Sequence, residues 1–211
     1  MLLTKRTYIA NKNRIAVISI KLDDPESLTW GIFMVGPPST STPIQFFIDW
    51  GDGNFGKHDL ARMISHDYAK PGNYTVTVYS AASVQLSISG PTAGTPWHDE
   101  YPKRVTAIMI NGMFRYAQDA FANTTELTTL DIQNYANTLP SKAFADSHKL
   151  TGAVNLKPIR SLAPDVFEGC ELITELHFHS AYESYIKQCP GYSDGPGNFG
   201  APNAVCVFDL T

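Results

Sequence analysis

The sequence lacks the short motifs by which many enzyme classes are recognised. It contains no G-x-S-x-G nucleophile turn, no H-E-x-x-H zinc motif, no Walker-type glycine loop and no Cys-x-x-Cys pair. The glycine-rich stretch GPGNFGA at 195–201 precedes a predicted strand and not a helix, so it cannot direct helix amides at a phosphate. These absences favour a protein that is not an enzyme and needs no cofactor, with an enzyme as the third interpretation.

Long apolar runs and a basic surface are missing as well. No run reaches the ~18 apolar residues that a membrane-spanning helix needs. The net charge of −4 argues against binding to a phosphate backbone. In the N-terminal stretch the apolar part comes too late for a signal peptide and leads into no small-residue cleavage site. We therefore expect no membrane span and no nucleic acid, and either export information that was removed or exit by another route, such as inside a virus particle.

Cysteine is scarce, with only Cys170, Cys189 and Cys206 in the chain. An odd count excludes a full disulfide framework. Cys170 lies in the segment FEGCEL, where a small apolar side chain would face a core, and it is predicted to be a buried thiol. Cys189 and Cys206 bracket a Gly/Pro-rich loop and could form a disulfide across it; two buried or half-buried thiols are the alternative.

What the sequence does contain is a repeat. Phe121, Phe144 and Phe167 are spaced 23 residues apart, within the similar segments AFANTTELTTLDI, AFADSHKLTGAVNL and VFEGCELITELHF. A period of roughly 20–29 residues is typical of a leucine-rich-type solenoid, in which one strand-plus-turn unit repeats and stacks. Such a fold presents a surface, so the period favours recognition over catalysis.

Each repeat offers a five-residue strand with apolar residues at its second and fourth positions. Because side chains alternate along a strand, these residues are predicted to point together into the core: Ile108 and Ile110, Leu130 and Ile132, Val154 and Leu156, Leu176 and Phe178. The third strand starts one residue late, so a bulge is predicted near Gly152. Since coils are stable only when stacked, we expect residues 182–211 to act as a C-terminal cap.

The first half is predicted to consist of short strands separated by turns. Apolar and polar residues alternate in RIAVISIKL at 14–22. Further strands are predicted at 28–35, 44–50, 66–68, 74–79 and 84–88. In the turn Gly51-Asp52-Gly53 the glycines suit positive φ angles. Several short strands with turns between them indicate a β-sandwich.

Two parts of the sequence carry a resemblance to known families. IDWGDG at 48–53, followed by HDYAKPGNYTVTV at 66–78, resembles the PKD-type module, an immunoglobulin-like sandwich. The repeats from about 105 to 180 resemble BspA-type leucine-rich repeats, and FGAPNAVCVFD resembles the way such arrays often end. The resemblance implies a bacterial surface or phage-associated protein that acts in adhesion or ligand binding without catalysis.

We therefore predict a mainly β protein with an immunoglobulin-like β-sandwich and a short leucine-rich-repeat solenoid. The predicted parts are an N-terminal arm at 1–13, a PKD-like sandwich at 14–90, a joint at 91–104 and a BspA-type repeat domain with its cap at 105–211. The joint is rich in Gly and Pro. Trp97 and Tyr101 are nevertheless too apolar for a free linker, so we expect them to pack against one domain and stiffen the joint.

A polar face is predicted on the solvent side of the repeat strands. Alternation puts two adjacent columns of side chains there: Met109, Asp131, Asn155 and His177, flanked by Asn111, Gln133, Lys157 and His179. Strands about 4.8 Å apart would bring them within reach of one ligand. We take six of them as candidate ligand-binding residues and call these the polar face: Asp131, Gln133, Asn155, Lys157, His177 and His179. A solvated sheet face with no ligand is the alternative.

Two groups of side chains are considered as metal sites. Acids and histidines cluster in the first half of the sequence: Asp49, Asp52, His58, Asp59, His66 and Asp67. An Asp in a Gly-Asp-Gly turn usually caps its own backbone amides. The PKD resemblance implies the same structural role, although some relatives bind calcium, so calcium at Asp49 or Asp52 is the alternative. His177 and His179 share a strand face and could bind a transition metal with Cys206, but exposed histidines are far commoner than such sites. We predict no metal.

The predicted function is non-enzymatic binding, with the polar face presented to a glycan or protein of a host or cell surface. The predicted location is extracellular or at the cell surface. The alternative is a structural component of a phage particle or surface layer, located in the virion. Such a component would assemble with its own copies and use residues 1–13 as an assembly arm.

Overall fold

The chain is mainly β, as predicted. The structure is a computed structural model, and it describes residues 13–35, 45–59, 62–80, 84–88, 99–111, 114–116, 118–133 and 138–210. The strands are β1 (Asn13–Leu22), β2 (Thr29–Val35), β3 (Gln45–Asp49), β4 (Phe55–Asp59), β5 (Arg62–Asp67), β6 (Gly72–Ser80), β7 (Val84–Ser87), β8 (Val105–Ile110), β9 (Phe114–Tyr116), β10 (Thr129–Ile132), β11 (Gly152–Asn155), β12 (Ile173–His179) and β13 (Val205–Asp209). The short helical segments are 3-10 turns at Pro102–Arg104 and Ser180–Tyr182, and α1 (Glu183–Ile186).

The strands form two sheets. The larger sheet has nine strands in the order β13-β12-β11-β10-β8-β1-β6-β3-β4, and the smaller has four in the order β5-β2-β7-β9. Strands β8, β10, β11, β12 and β13 are parallel neighbours. Strands β1, β6, β3 and β4 pair antiparallel. The strands of the repeats therefore run parallel to one another.

Strand β1 joins the two halves of the chain. It pairs with β6 on one side and with β8, the first repeat strand, on the other. The smaller sheet crosses the same boundary, because β7 pairs with β9. Trp30 of β2 donates from Nε1 to the carbonyl oxygen of Tyr101 over 3.0 Å, and both residues are buried. The predicted packing of Tyr101 is confirmed, whereas Trp97 and residues 1–12 lie outside the described residues.

One hydrophobic cluster runs through both halves, from Ile15 to Ala204. The inward-facing residues predicted for the repeat strands are all buried. The predicted irregularity of the third strand is confirmed as well. The pairing of β11 with β12 shifts register between Gly152 and Ala153, and Gly152 has a φ of 74°.

Two ladders stack along the repeats at the period of the sequence. The rings of Phe121 and Phe144 lie 5.2 Å apart and those of Phe144 and Phe167 lie 5.8 Å apart, nearly parallel in both pairs. Beside them Thr124 and Ser147 share a buried hydrogen bond of 2.7 Å between their hydroxyl oxygens. Cys170 occupies the next equivalent position and is fully buried, which confirms the buried thiol.

Most strands of the first half lie close to their predicted positions, but β4 is an exception. Its sequence, Phe55-Gly56-Lys57-His58-Asp59, has no apolar alternation, and it is absent from the predicted strands for that reason. It forms because it pairs along its whole length with β3. The turn between these strands has the positive φ angles expected of Gly51 and Gly53, at 82° and 96°.

The C-terminal stretch closes on the repeats through a buried asparagine. Asn198 donates from Nδ2 to the carbonyl oxygens of Gly195 and Ala204 and accepts from the amide of Ser193, at 2.7–3.0 Å. This network orients the chain into β13, a fifth parallel strand that the sequence suggests only as the end of an array. Cys189 and Cys206 are free thiols in the structure.

Candidate functional site

The predicted columns of the polar face lie in register on the larger sheet. Met109 is opposite Asp131, Asp131 is opposite Asn155, and Asn155 is opposite His177. The column continues to Val207 of β13 on one side and to Val17 of β1 on the other. The polar face therefore belongs to a surface that is continuous with the strands of the first half.

The polar residues in and just after β10 and β11 are held by neighbours on the same segment and, for Lys157, also by Asp209 of β13. Gln133 donates from Nε2 to the Asp131 carboxylate over 2.7 Å. Asn155 accepts the backbone N–H of Lys157 at its Oδ1 over 3.1 Å, and the Lys157 ammonium lies 3.4 Å from an Asp209 oxygen. Gln133 and Asn155 are exposed, whereas Asp131 and Lys157 are half-buried. These side chains have set orientations before any ligand arrives.

His177 lies at the centre of the charged part of the face. Its Nδ1 is 2.8 Å from an Asp209 oxygen and its Nε2 is 2.6 Å from a Glu175 oxygen. The hydrogen bond with Asp209, helped by that with Glu175, raises the pKa of His177 above its ordinary value of 6.5 against the opposing effect of burial. The same hydrogen bond lowers the pKa of Asp209, and Lys157 adds to that effect. When His177 is protonated, Glu175, His177, Asp209 and Lys157 form a row of alternating charges, which we call the charged group.

His179, the last residue of β12, has a different role. Its Nδ1 accepts the backbone N–H of Ala181 over 3.1 Å and so caps the 3-10 turn at Ser180–Tyr182. In the neutral ring the proton must then be on Nε2, which is left as a donor. Tyr182 lies beside the ring, with centroids 5.8 Å apart. Arg160 covers Tyr182, with its guanidinium 4.7 Å from the ring centre.

The proposed metal alternatives do not match the observed positions. Within the described residues, no group of three or more His, Cys, Asp and Glu side chains is placed to hold a metal ion. Cys206 pairs with buried Leu176 and packs on the core, so it faces away from His177. In the first half, Asp52 accepts from the Asn54 amide at 2.9 Å and contacts His66 Nε2 at 2.7 Å, which is a structural use of the turn.

Two residues of the charged group were not among the predicted site residues. Glu175 lies in a predicted strand, but its contact with His177 depends on the side-chain conformations of both residues, which the sequence does not define. Asp209 belongs to β13, which follows β12 after a long insertion and breaks the 23-residue spacing. The sequence did contain a signal for β13. Its alternation of residue types, Val205-Cys206-Val207-Phe208-Asp209, matches that of β12 in Glu175-Leu176-His177-Phe178-His179.

Comparison with known proteins gives no relative for this chain. No protein-family model, no curated protein and no solved structure matches it. Of the helices in the described parts of the chain, none is both long and apolar enough to cross a membrane.

Proposed function

We propose that the chain is a non-enzymatic binding protein that presents the polar face to a glycan or protein of a host or cell surface. In this proposal residues 105–211 are a short leucine-rich-type solenoid of the BspA kind. Residues 14–90 are an immunoglobulin-like, PKD-like sandwich that serves as a spacer. The expected location is outside the cell or on its surface.

The main support for the proposal is the register of the strands that carry the polar face. Asp131, Asn155 and His177 lie on three adjacent parallel strands, directly opposite one another. Neighbouring strands are about 4.8 Å apart, so the three side chains can contact a single ligand at once. The stacked phenylalanine rings and the parallel pairing support a solenoid in which this face is repeated at a fixed pitch.

The ligand class follows from the groups on the face. Amides, carboxylates, imidazoles and an ammonium both donate and accept hydrogen bonds, which suits hydroxyl-rich glycans and polar peptide segments. Since Gln133, Asn155 and Lys157 are already oriented by their own contacts, less conformational entropy is lost when a ligand binds. Individual contacts at such an open face are weak, and display in many copies would strengthen attachment.

The rigid connection between the repeats and the first half supports a spacer role for the first half. Strand β1 continues the sheet of the repeats directly into the sandwich strands. The Trp30–Tyr101 hydrogen bond and the β7–β9 pairing connect the same two regions at other points. A spacer connected in three places holds the polar face in one orientation relative to whatever carries the first half.

The test is a glycan and host-protein binding screen followed by a triple substitution, Asp131→Ala with Asn155→Ala and His177→Ala. All three side chains lie on the outer surface, so the overall fold is expected to survive except for a looser β13, which His177 contacts through Asp209; circular dichroism and a thermal unfolding curve check this. Binding is expected to fall at least tenfold, because each lost hydrogen bond contributes about 0.5–1.5 kcal/mol.

The matched control replaces three exposed residues in the turns of the repeats, His148, Thr151 and Glu171, by alanine. This variant is expected to bind like the wild type. Undiminished binding by the folded polar-face variant would show that the polar face is not the binding site.

A second candidate function, a self-assembling component of a virion or surface layer, is favoured by the sheet edges. Strands β13 and β4 end the larger sheet, and no strand in the described part of the chain pairs with their outer edges. Near one edge Val205 is 38% exposed and Leu210 is 84% exposed. Open edges of this kind can pair with another chain. A stable trimer or larger ring that fails to assemble without residues 1–13 would favour this function, and a monomer that binds cells would favour adhesion.

A further inference from the structure

The ring of His177 bridges two carboxylates that belong to different strands. Asp209, on β13, lies 2.8 Å from Nδ1, and Glu175, on β12, lies 2.6 Å from Nε2. The His177 side chain is 24% exposed. Both ring nitrogens are therefore engaged at hydrogen-bonding distance on a partly desolvated surface.

Only one protonation state of the ring satisfies both contacts. An imidazolium donates at both nitrogens, whereas a neutral imidazole donates at one and accepts at the other. In the neutral form, one nitrogen lone pair would face a carboxylate oxygen, which is repulsive. The arrangement is thus complete when His177 carries a proton and incomplete when it does not.

Asp209 connects this protonation to the edge of the larger sheet. It is the last residue of β13, whose other side has no strand partner in the described chain. On the opposite face of β13, Phe208 stacks on Phe178 with ring centroids 5.9 Å apart. Strand β13 therefore covers part of the core and is tied on its outer face through Asp209.

We propose that His177 is a pH-dependent clasp that holds the edge strand β13 on the sheet. The protonated ring ties Asp209 to Glu175 and closes the clasp. After loss of the proton the neutral ring donates at only one nitrogen, which weakens the tie between Asp209 and Glu175, so β13 opens more often and exposes the core side of β12. This inference concerns the stability of β13 and does not depend on the identity of a ligand.

The charged groups around the ring define the direction of the effect. On its own strand Glu175 contacts the ring and His179 shares its face, and on β13 Asp209 contacts it. Lys157, which follows β11, lies 3.4 Å from Asp209. The two acids outweigh the neighbouring ammonium, and they raise the pKa of His177 above 6.5. A raised pKa in the folded state means that the added stability is full below about pH 6.5 and is lost as pH rises through the folded pKa.

The experiment is hydrogen–deuterium exchange of the intact chain from pH 5.5 to pH 9, with rates corrected for the intrinsic pH dependence of amide exchange. The corrected protection of peptides covering β13 is expected to fall about three- to tenfold from the acidic to the basic end, as suits one charge-assisted bond at a partly exposed site. Protection of β10 is expected to stay constant and serves as the internal control.

Two variants remove the clasp by different routes. In His177→Gln and in Asp209→Asn, β13 is expected to show low, pH-independent protection, equal to that of the wild type at high pH. His148→Gln changes an exposed histidine elsewhere in the repeats and is expected to keep the wild-type profile. In Asp209→Asn the pKa of His177, measured by NMR, is expected to move toward 6.5.

Two results would overturn the inference. One is a corrected protection of β13 that is the same at both ends of the pH range in the wild type. The other is a wild-type pH dependence that persists in His177→Gln, because the titrating group would then lie elsewhere.

Discussion

The two halves of the chain share one sheet and one core, but different kinds of contact hold them together. Between residues 13 and 88 the strands are mostly antiparallel, and the contacts occur once each. The Tyr68 hydroxyl donates to the Trp50 carbonyl over 3.0 Å, and Asp52 meets His66 at 2.7 Å. Between residues 105 and 209 the strands of the larger sheet are parallel, and the stacked phenylalanine rings recur every 23 residues.

This contrast predicts where substitutions should be tolerated. In the first half, His66 stacks on Trp50 with centroids 5.0 Å apart, and this contact has no equivalent elsewhere among the described residues. In the repeats a position already accepts different residues, such as Thr124, Ser147 and Cys170 in one ladder. A substitution that removes a single contact of the first half is expected to disturb only its immediate surroundings. A substitution within a ladder of the repeats is expected to destabilise the coils on both sides.

The largest expected effect comes from Phe144→Ala. Phe144 is fully buried between two stacked rings, so its removal leaves a cavity in the middle of the ladder. The free energy of unfolding is expected to fall by about 3–5 kcal/mol. Denaturant unfolding measures the loss, and hydrogen exchange should show the repeat strands losing protection before β1 and β6.

The control for this prediction is Phe144→Leu, which keeps most of the volume and is expected to cost distinctly less. Equal loss of protection in β6 and in the repeat strands of Phe144→Ala would contradict the contrast between the two halves. It would mean that the shared core responds as one unit.

The repeats were the easier half to predict because the same sequence pattern occurs in several units. The period predicts the phenylalanine ladder, the register of Asp131, Asn155 and His177, and the bulge at Gly152. By contrast, neither β4 nor the β1–β8 pairing has a periodic signal. Strand β4 forms by pairing with the adjacent strand β3, and β1 pairs with β8 across distant parts of the chain. The columns of the polar face were predictable, but its contact with Asp209 was missed, because β13 follows an insertion that breaks the 23-residue spacing and only its alternation pattern indicates it.

A smaller effect is expected from Asp52→Asn in the first half. Burial alone would raise the pKa of Asp52, but hydrogen bonds from His66 and Asn54 hold it at about 2. A lowered pKa in the folded state means that the stabilisation is present above about pH 4 and is lost as pH falls toward about 2. The substitution is expected to cost about 1.5–3 kcal/mol at neutral pH.

Unfolding curves from pH 2 to pH 7 check this prediction, because the variant should lose less stability than the wild type between about pH 4 and pH 2. Asp23→Asn is the matched control. Its carboxylate pairs with Lys21 at 2.7 Å on an exposed surface, so its removal is expected to change little. Parallel curves for Asp52→Asn and the wild type below pH 4 would rule out Asp52 as the titrating group.

The substitution expected to change stability least gives one repeat the residue that another repeat has at the equivalent position. Asn123, Asp146 and Gly169 are equivalent positions, and all have positive φ angles of 62°, 59° and 76°. Asn123→Gly relieves the left-handed backbone but adds freedom to the unfolded chain, so the free energy of unfolding is expected to change by less than about 1 kcal/mol.

The reciprocal change, Gly51→Asn, tests whether the backbone angle or the lack of space for a side chain limits the turn of the first half. Gly51 has a φ of 82°, and a Cβ there would lie 2.6 Å from the Thr75 carbonyl oxygen. Asparagine tolerates this φ, so its expected cost of about 1–3 kcal/mol comes from overpacking. Thermal unfolding of the two variants measures the difference, and equal costs would mean that the turn of the first half is no more demanding than the repeat position.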